Sequence, residues 1–173
     1  MSLTSSELAS LFARDLARVA RQLDAIDDAH LWRVGPGVTN SAGNLLLHLN
    51  GNLREYIGRQ IGGVPYQRDR PREFAAKDVP RAEIAGALAE LGELIPAVIG
   101  RVEENRWDEM FPEHVLGEPL TNRQFVIHLF GHLSYHLGQI DYIRRMLSGE
   151  GALQAAPSRS LPEGSARRPA GAP

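Results

Sequence analysis

TNRQFVIHLFGHLSYHLGQIDYIRRMLSG, residues 121–149, reads as one long helix with a clear signal at each end. Thr121 and Gln124 have the spacing of a capping box, in which two side chains satisfy backbone N–H groups at a helix start. Ser148 and Gly149 close the segment, since glycine readily adopts the left-handed conformation that follows many helices. The pattern predicts a helix from about residue 121 to residue 147.

Three segments upstream show the three-and-four spacing of apolar residues that is typical of amphipathic helices. They span residues 5–29, about 41–61 and about 80–102. Thr4 with Glu7 is predicted to cap the first, and Thr39 or Asn40 the second. Pro96 predicts a kink or a local break in the third. Since no segment alternates like a strand, the predicted fold class is all-α, a four-helix bundle.

The segments between these helices are irregular. Residues 64–79 carry prolines and charges without periodicity, which predicts a long connection that is functional or spans a distance. Residues 103–120 are also irregular, and His114 within them is expected at the surface. The chain from 150 to 173 is rich in Pro, Gly, Ala and Arg. We therefore predict a bundle over residues 1–149 and a disordered tail over 150–173.

Composition excludes several classes of function. The chain has 173 residues, a net charge of -2 and no cysteine. It has no basic patch for nucleic acid and no apolar run long enough to cross a membrane, so neither is an expected partner. It also shows no secretory leader pattern, and the expected location is the cytoplasm. Without cysteine, a bound metal would have only nitrogen and oxygen ligands.

Three histidines four residues apart stand out in the last helix: His128, His132 and His136. Neighbours at this spacing lie on one face, about 6 Å apart along the axis, and can share a metal ion. The outer two are about 12 Å apart, so only one adjacent pair can bind the same ion. His48 on the second helix is the candidate third ligand. Gln139 shares the face of His132 and His136 and favours that pair, while ordinary packing remains the alternative for each histidine.

Polar residues near these histidines are candidates for supporting roles. Glu55 is a candidate general base or a partner that orients an imidazole, and Asn52 or Gln139 could hold a substrate. The alternative for Glu55 is a solvated carboxylate that pairs with Arg59 one turn later.

The stretches AGNLLLHLNGNLREYIGRQIGG (42–63) and HLSYHLGQIDYIRRML (132–147) resemble the DinB-like superfamily of metal-dependent four-helix proteins, which includes bacillithiol and mycothiol S-transferase-like enzymes. The resemblance covers residues 5–148 in helix order and is nearest to uncharacterised members. It implies an up-down-down-up bundle with a long second connection, in a small bacterial protein that forms homodimers.

By this resemblance, His48, His132 and His136 match the family's metal ligands, and His128 is left out. The implied cofactor is one divalent ion, zinc or nickel first, with iron or manganese as alternatives. The expected function is that of a metal-dependent thiol S-transferase or hydrolase acting on a small molecule such as a low-molecular-weight thiol. The alternative is a metal-binding or stress-induced helical bundle without catalysis.

Overall fold

The computed structural model describes residues 2–113 and 117–153, and this part of the chain is helical with a single isolated β-bridge. The helices are α1 (Leu3–Ala25), α2 (Asp28–Leu31), α3 (Ala42–Leu53), α4 (Arg70–Ala75), α5 (Arg81–Gly100) and α6 (Asn122–Ser148). α3 continues directly into a π-helix, Arg54–Ile61, and a 3-10 turn, Glu104–Asp108, precedes α6. The predicted all-α bundle is confirmed. Residues 154–173 of the predicted tail and His114 lie outside the described residues.

α1 lies along α6 with both helices running in the same direction. The ring of Phe12 meets that of Phe130 with 5.5 Å between centroids. Ten residues further along α1, the side-chain amide of Gln22 donates to Asp141 at 3.2 Å. None of the helices within the described ranges is long and apolar enough to span a membrane.

The core takes a fully buried side chain from each of the four long helices. Phe12, Leu49, Leu91 and Leu133 are all inaccessible to solvent. Burying a side chain of this size stabilises the fold by about 1.5–3 kcal/mol. Leu49 and Leu133 directly follow two of the candidate histidines in the sequence. The candidate site therefore lies next to fully buried positions of α3 and α6.

Two of the predicted helix starts are wrong by one or two residues. α1 begins after Ser2, whose side chain accepts the N–H of Ser5 at 3.0 Å, so the predicted cap at Thr4 does not form. Ser41 caps α3 in place of the two residues before it. The capping box that starts at Thr121 is confirmed, with both of its hydrogen bonds present.

Three further expectations are corrected. The first helix ends at Ala25, where the chain becomes extended before the short α2. α5 runs through Pro96 without a break. The connection 64–79 is not wholly irregular, because it contains α4. Asp69 caps α4 with its side chain and Pro71 occupies the first turn, a combination that suits a helix start.

Candidate metal centre

α3 and α6 place three imidazoles against one another. Nε2 of His48 lies 3.3 Å from Nε2 of His132, which lies 3.0 Å from Nε2 of His136. All three of these nitrogens lie within 4.8 Å of one another. His128 stands apart, since its ring stacks on that of His132 with 6.5 Å between centroids. The structure thus brings the three predicted ligands together and leaves His128 outside the group.

Two of these three separations match those of nitrogens that share one metal ion. Two imidazole nitrogens bound to one tetrahedral zinc, at about 2.0–2.1 Å each, are about 3.3 Å apart. The pair from α3 and α6 has this separation, and the pair within α6 is slightly closer. Without a cation, the lone pairs of three imidazoles would face one another at hydrogen-bond distance with too few protons to satisfy them.

Glu73 selects the tautomer of His48. Nδ1 of His48 lies 2.9 Å from Oε2 of Glu73, and since an ionised carboxylate only accepts hydrogen bonds, Nδ1 carries the proton. Nε2 of His48 then presents its lone pair to the centre. A carboxylate behind a metal-binding imidazole is the usual arrangement that orients the ring and makes it a better ligand.

Glu73 itself is held firmly in the interior. It is 6% exposed, and Arg68 donates to its two oxygens at 2.7 and 2.8 Å. Burial alone would raise the pKa of Glu73, but the hydrogen bonds from Arg68 and His48 outweigh it and the net shift is downward. Its carboxylate rests on Gly51, where a Cβ atom would lie 2.0 Å from Oε1. Only glycine leaves room for this carboxylate on α3.

His136 is oriented by a neighbour on its own helix. Oε1 of Gln139 lies 2.7 Å from Nδ1 of His136, and Nε2 of the same amide donates to the hydroxyl of Tyr135 at 3.0 Å. With Nδ1 as the donor, Nε2 of His136 also presents a lone pair to the centre. The structure places Gln139 behind a candidate ligand, at the edge of the site.

His132 lies between the other two imidazoles and differs from them. Its Nδ1 is buried and has no hydrogen-bond partner among the described residues. Burial, reinforced by the neighbouring His136 and His48, lowers the pKa of His132 to about 3. Burial also lowers the pKa of His136. At neutral pH both rings are therefore uncharged, which is the form that binds metal.

The two other predicted site residues have different surroundings. Asn52 is buried one turn after His48, and its Oδ1 has no hydrogen-bond partner in the described part of the chain. Glu55 accepts hydrogen bonds from Arg59, including one from Nε at 2.9 Å. The hydrogen bond from Arg59 is the largest cause that lowers the pKa of Glu55, so the carboxylate is ionised and paired. The pairing with Arg59 is the one that the sequence offered as the alternative for Glu55, but the side chain is buried and not solvated.

Glu73 and Arg68 form a pair at the site that was not predicted from the sequence. Both residues lie in the connection 64–79, where no periodicity relates them to α3. The available signal was the capping residue Asp69 followed by Pro71, which marks a short helix and places Glu73 in its first turn. That signal predicts the helix but not the face of α3 on which it lies.

Comparison with known proteins gives a family and a fold. A family model described as mycothiol-S-transferase matches residues 7–149. The structure is similar to a DinB-like protein from Bacillus subtilis, with 13% identity, a TM-score of 0.65, and coverage of 86% of this chain and 96% of that chain. A DinB-like protein from Bacillus cereus gives 15% identity, a TM-score of 0.61, and coverage of 83% and 91% respectively. No curated protein matches.

Proposed function

This chain belongs to the mycothiol-S-transferase family, in the DinB-like superfamily, and we propose that it is a metal-dependent enzyme that transfers a low-molecular-weight thiol to a small acceptor. His48, His132 and His136 would hold one divalent ion, zinc or nickel before iron or manganese. An ion held by these three imidazoles would supply the positive charge that favours the deprotonated form of a substrate thiol. The sulfur must come from the substrate, because the chain has no cysteine.

The protein's own residues would prepare and keep this site. Glu73 holds the proton on Nδ1 of His48, and Gln139 does the same for His136. The depressed pKa values of His132 and His136 keep protons from competing for the ligand nitrogens. Asn52 has a buried oxygen that could accept a hydrogen bond from a substrate N–H or O–H group.

One observation carries the proposal. Three Nε2 atoms from two helices converge while the Nδ1 atoms of two of the rings are held by acceptors on the far side. A packing role would need no such convergence of unprotonated nitrogens. The family match adds the class of reaction, and the fold similarity adds nothing about substrate.

The test begins with protein purified without an affinity tag, whose metal content is measured by elemental analysis. Metal-loaded protein is then assayed for transfer of mycothiol, bacillithiol or glutathione to a model electrophile. We expect turnover with at least one thiol, and loss of both metal and turnover in His132→Ala. The matched control is His128→Ala, which removes an imidazole one turn away and should retain both.

The outcomes separate the two candidate functions. Stoichiometric metal without turnover for any thiol would replace the transferase with the alternative, a metal-binding bundle without catalysis. If the purified protein holds less than a tenth of an equivalent of transition metal per chain and takes up none from buffered zinc, both candidate functions are excluded.

Two further proposals concern the rest of the molecule. We propose that Glu55 stabilises the π-helix through Arg59 and does not act as the catalytic base that the sequence suggested. Glu55→Gln should then leave the maximal rate within about twofold of the wild-type rate, and a larger loss would restore the catalytic role.

We also propose that the protein forms a homodimer. A mass of a single chain in light scattering would exclude it.

A further inference from the structure

One side of α6 points away from the bundle and is apolar. Ile127, Tyr135 and Tyr142 on this side are 54%, 63% and 71% exposed. Gly131 and Gly138 lie between them, and a Cβ added at either glycine would meet no atom of the described residues within 4 Å. With about 100° of rotation per residue, the five positions fall within about 80° of one another around the helix. We call these five residues the α6 face.

The α6 face lies in a long segment without charge. Residues 124–140 contain no Asp, Glu, Lys or Arg, although the solvent side of an amphipathic helix usually carries charged and polar residues. Contact with water alone therefore does not explain this sequence. An exposed apolar patch of this kind commonly marks a site of interaction with another protein.

The exposed apolar area is close to what one chain needs in a stable dimer. Tyr135 and Tyr142, together with Ile127 and the adjacent Met146, which is 47% exposed, present about 300–450 Å² of side-chain surface. One partner in a stable interface buries about 800 Å², of which about 450 Å² is apolar. The α6 face and its polar surroundings can therefore form an interface of ordinary size.

The α6 face has the same pattern from both ends, and this favours a second copy of the chain as the partner. A large apolar side chain, Ile127 or Tyr142, lies at each end, and a glycine, Gly131 or Gly138, follows four residues inward. A two-fold axis between residues 134 and 135 would pair Ile127 of one antiparallel helix with Tyr142 of the other, and Gly131 with Gly138. The two copies of Tyr135 would meet beside the axis. A two-fold dimer uses the same patch on both chains, and this patch is complementary to itself.

The paired glycines would allow the two helices to approach closely. Glycine inside a helix is less favourable than alanine, and no neighbour among the described residues excludes a methyl group at position 131 or 138. Between two copies of α6, the absence of both side chains leaves room for the short end of the usual 8–10 Å interaxial distance. Contact with a second copy thus gives the two glycines a role that the single chain does not.

We propose that the α6 face is the interface of the homodimer, with the two α6 helices antiparallel across a two-fold axis. The inference rests on the homodimer proposed above and adds the surface through which it forms. His132 and His136 lie on another side of α6, toward α3, so the interface and the candidate centre occupy different sides of one helix.

The first test measures the mass and the dimer Kd by sedimentation over a range of concentrations. We expect the wild type to have the mass of two 19.0 kDa chains. Tyr142→Glu should raise the dimer Kd by at least about a hundredfold, because the two-fold axis buries the new charge twice. Met110→Glu is the matched control, since Met110 is 55% exposed and lies outside the α6 face, and it should remain dimeric. Metal content should not change in either variant.

The second test uses a substitution that should affect the chain and the dimer in opposite directions. Gly131→Ala meets open space in the single chain and should make α6 more stable, but in the dimer the added methyl groups lie between the helices. We therefore expect a higher urea midpoint at concentrations where the chain is monomeric, and a dimer Kd raised by at least about tenfold. Gly86→Ala, which also meets open space but lies on α5, should leave the dimer Kd unchanged.

The third test reports the direction of the helices. The chain has no cysteine, so introduced cysteines form disulfides without background. A mixture of Ile127→Cys and Tyr142→Cys should form the mixed disulfide under mild oxidation. Neither variant should form a disulfide with its own copy, because an antiparallel pair separates the two equal positions by about 22 Å, and a disulfide needs Cα atoms within about 7 Å.

The outcomes separate the dimer from its interface. A monomeric wild type would exclude the homodimer, and the inference would fall with it. A dimer that persists unchanged in Tyr142→Glu and Gly131→Ala would keep the homodimer and assign its contact to another surface. Disulfides between equal positions would overturn the antiparallel arrangement.

Discussion

Glu73→Gln tests whether the connection before α5 controls metal binding. Glutamine keeps the shape of the side chain and can still accept from Nδ1 of His48, but the negative charge is lost. Charge-assisted hydrogen bonds are about twice as strong as neutral ones, and loss of such an orienting partner costs about 10–100-fold in metal affinity. We therefore expect the Kd for zinc to rise by that factor, a loss of about 1.4–2.7 kcal/mol.

Competition with a chromophoric chelator at neutral pH measures the Kd. The control is Glu83→Gln, since Glu83 also pairs with an arginine, Arg72, at 3.5 Å but is exposed. This change removes the same charge from the same region of the protein without touching an imidazole. The Kd of the control should equal that of the wild type.

A second variant separates metal affinity from folding. Both Glu73→Gln and Arg68→Met break the buried ion pair, so each should lower the free energy of unfolding of metal-free protein by about 1–3 kcal/mol. Their effects on zinc should differ. Arg68→Met removes a cation beside the centre and leaves the carboxylate on His48, so its Kd should be equal to or tighter than that of the wild type. Equal weakening in both variants, or wild-type affinity in Glu73→Gln, would refute the reasoning.

Three other changes have expected outcomes. His132→Ala should abolish stoichiometric zinc binding in elemental analysis of dialysed protein, while His128→Ala should retain it. Gly51→Ala should destabilise the fold and weaken zinc binding, because its Cβ would lie 2.0 Å from the Glu73 carboxylate, whereas Gly86→Ala meets open space and should stabilise by up to about 1 kcal/mol in urea unfolding. Zinc at 100 times its Kd should stabilise the protein by about 2.7 kcal/mol and raise Tm by about 5–10 °C, and a chelator should reverse the shift.

The sequence predicted the contacts in the site that join residues close together on one helix. On a regular helix, a spacing of four residues places His136 on the same face as His132, and a further spacing of three places Gln139 there too. Spacing alone left open whether His128 or His136 pairs with His132. The contact of Gln139 with Nδ1 of His136 agrees with the second choice. The capping box of α6 was predictable for the same reason, since its two hydrogen bonds join residues three apart.

The parts that the sequence did not predict depend on the path of the chain in three dimensions. Glu55 lies on the same side of an ideal α-helix as His48, but the helix changes to π geometry at Arg54, so the extrapolation from α-helical spacing fails there. Glu73 is 25 residues from His48, and only the folded connection brings them together. The spacing of residues along the sequence does not predict a contact between two segments that are this far apart in the chain.

The connection between α3 and α5 does more than cross the bundle. Asn44 donates to the backbone carbonyls of Glu73 and Ala76 at 3.1 and 2.9 Å, so the end of α4 is fastened to α3 one turn before His48. These two hydrogen bonds fix the position along α3 at which the Glu73 carboxylate contacts the imidazole of His48. The candidate ligands lie on two packed helices, where substitutions would disturb the core, whereas the group that tunes one of them lies on the connection. If the three histidines bind a metal as proposed, we expect substitutions in this segment to change the affinity while the candidate ligands and the core stay the same.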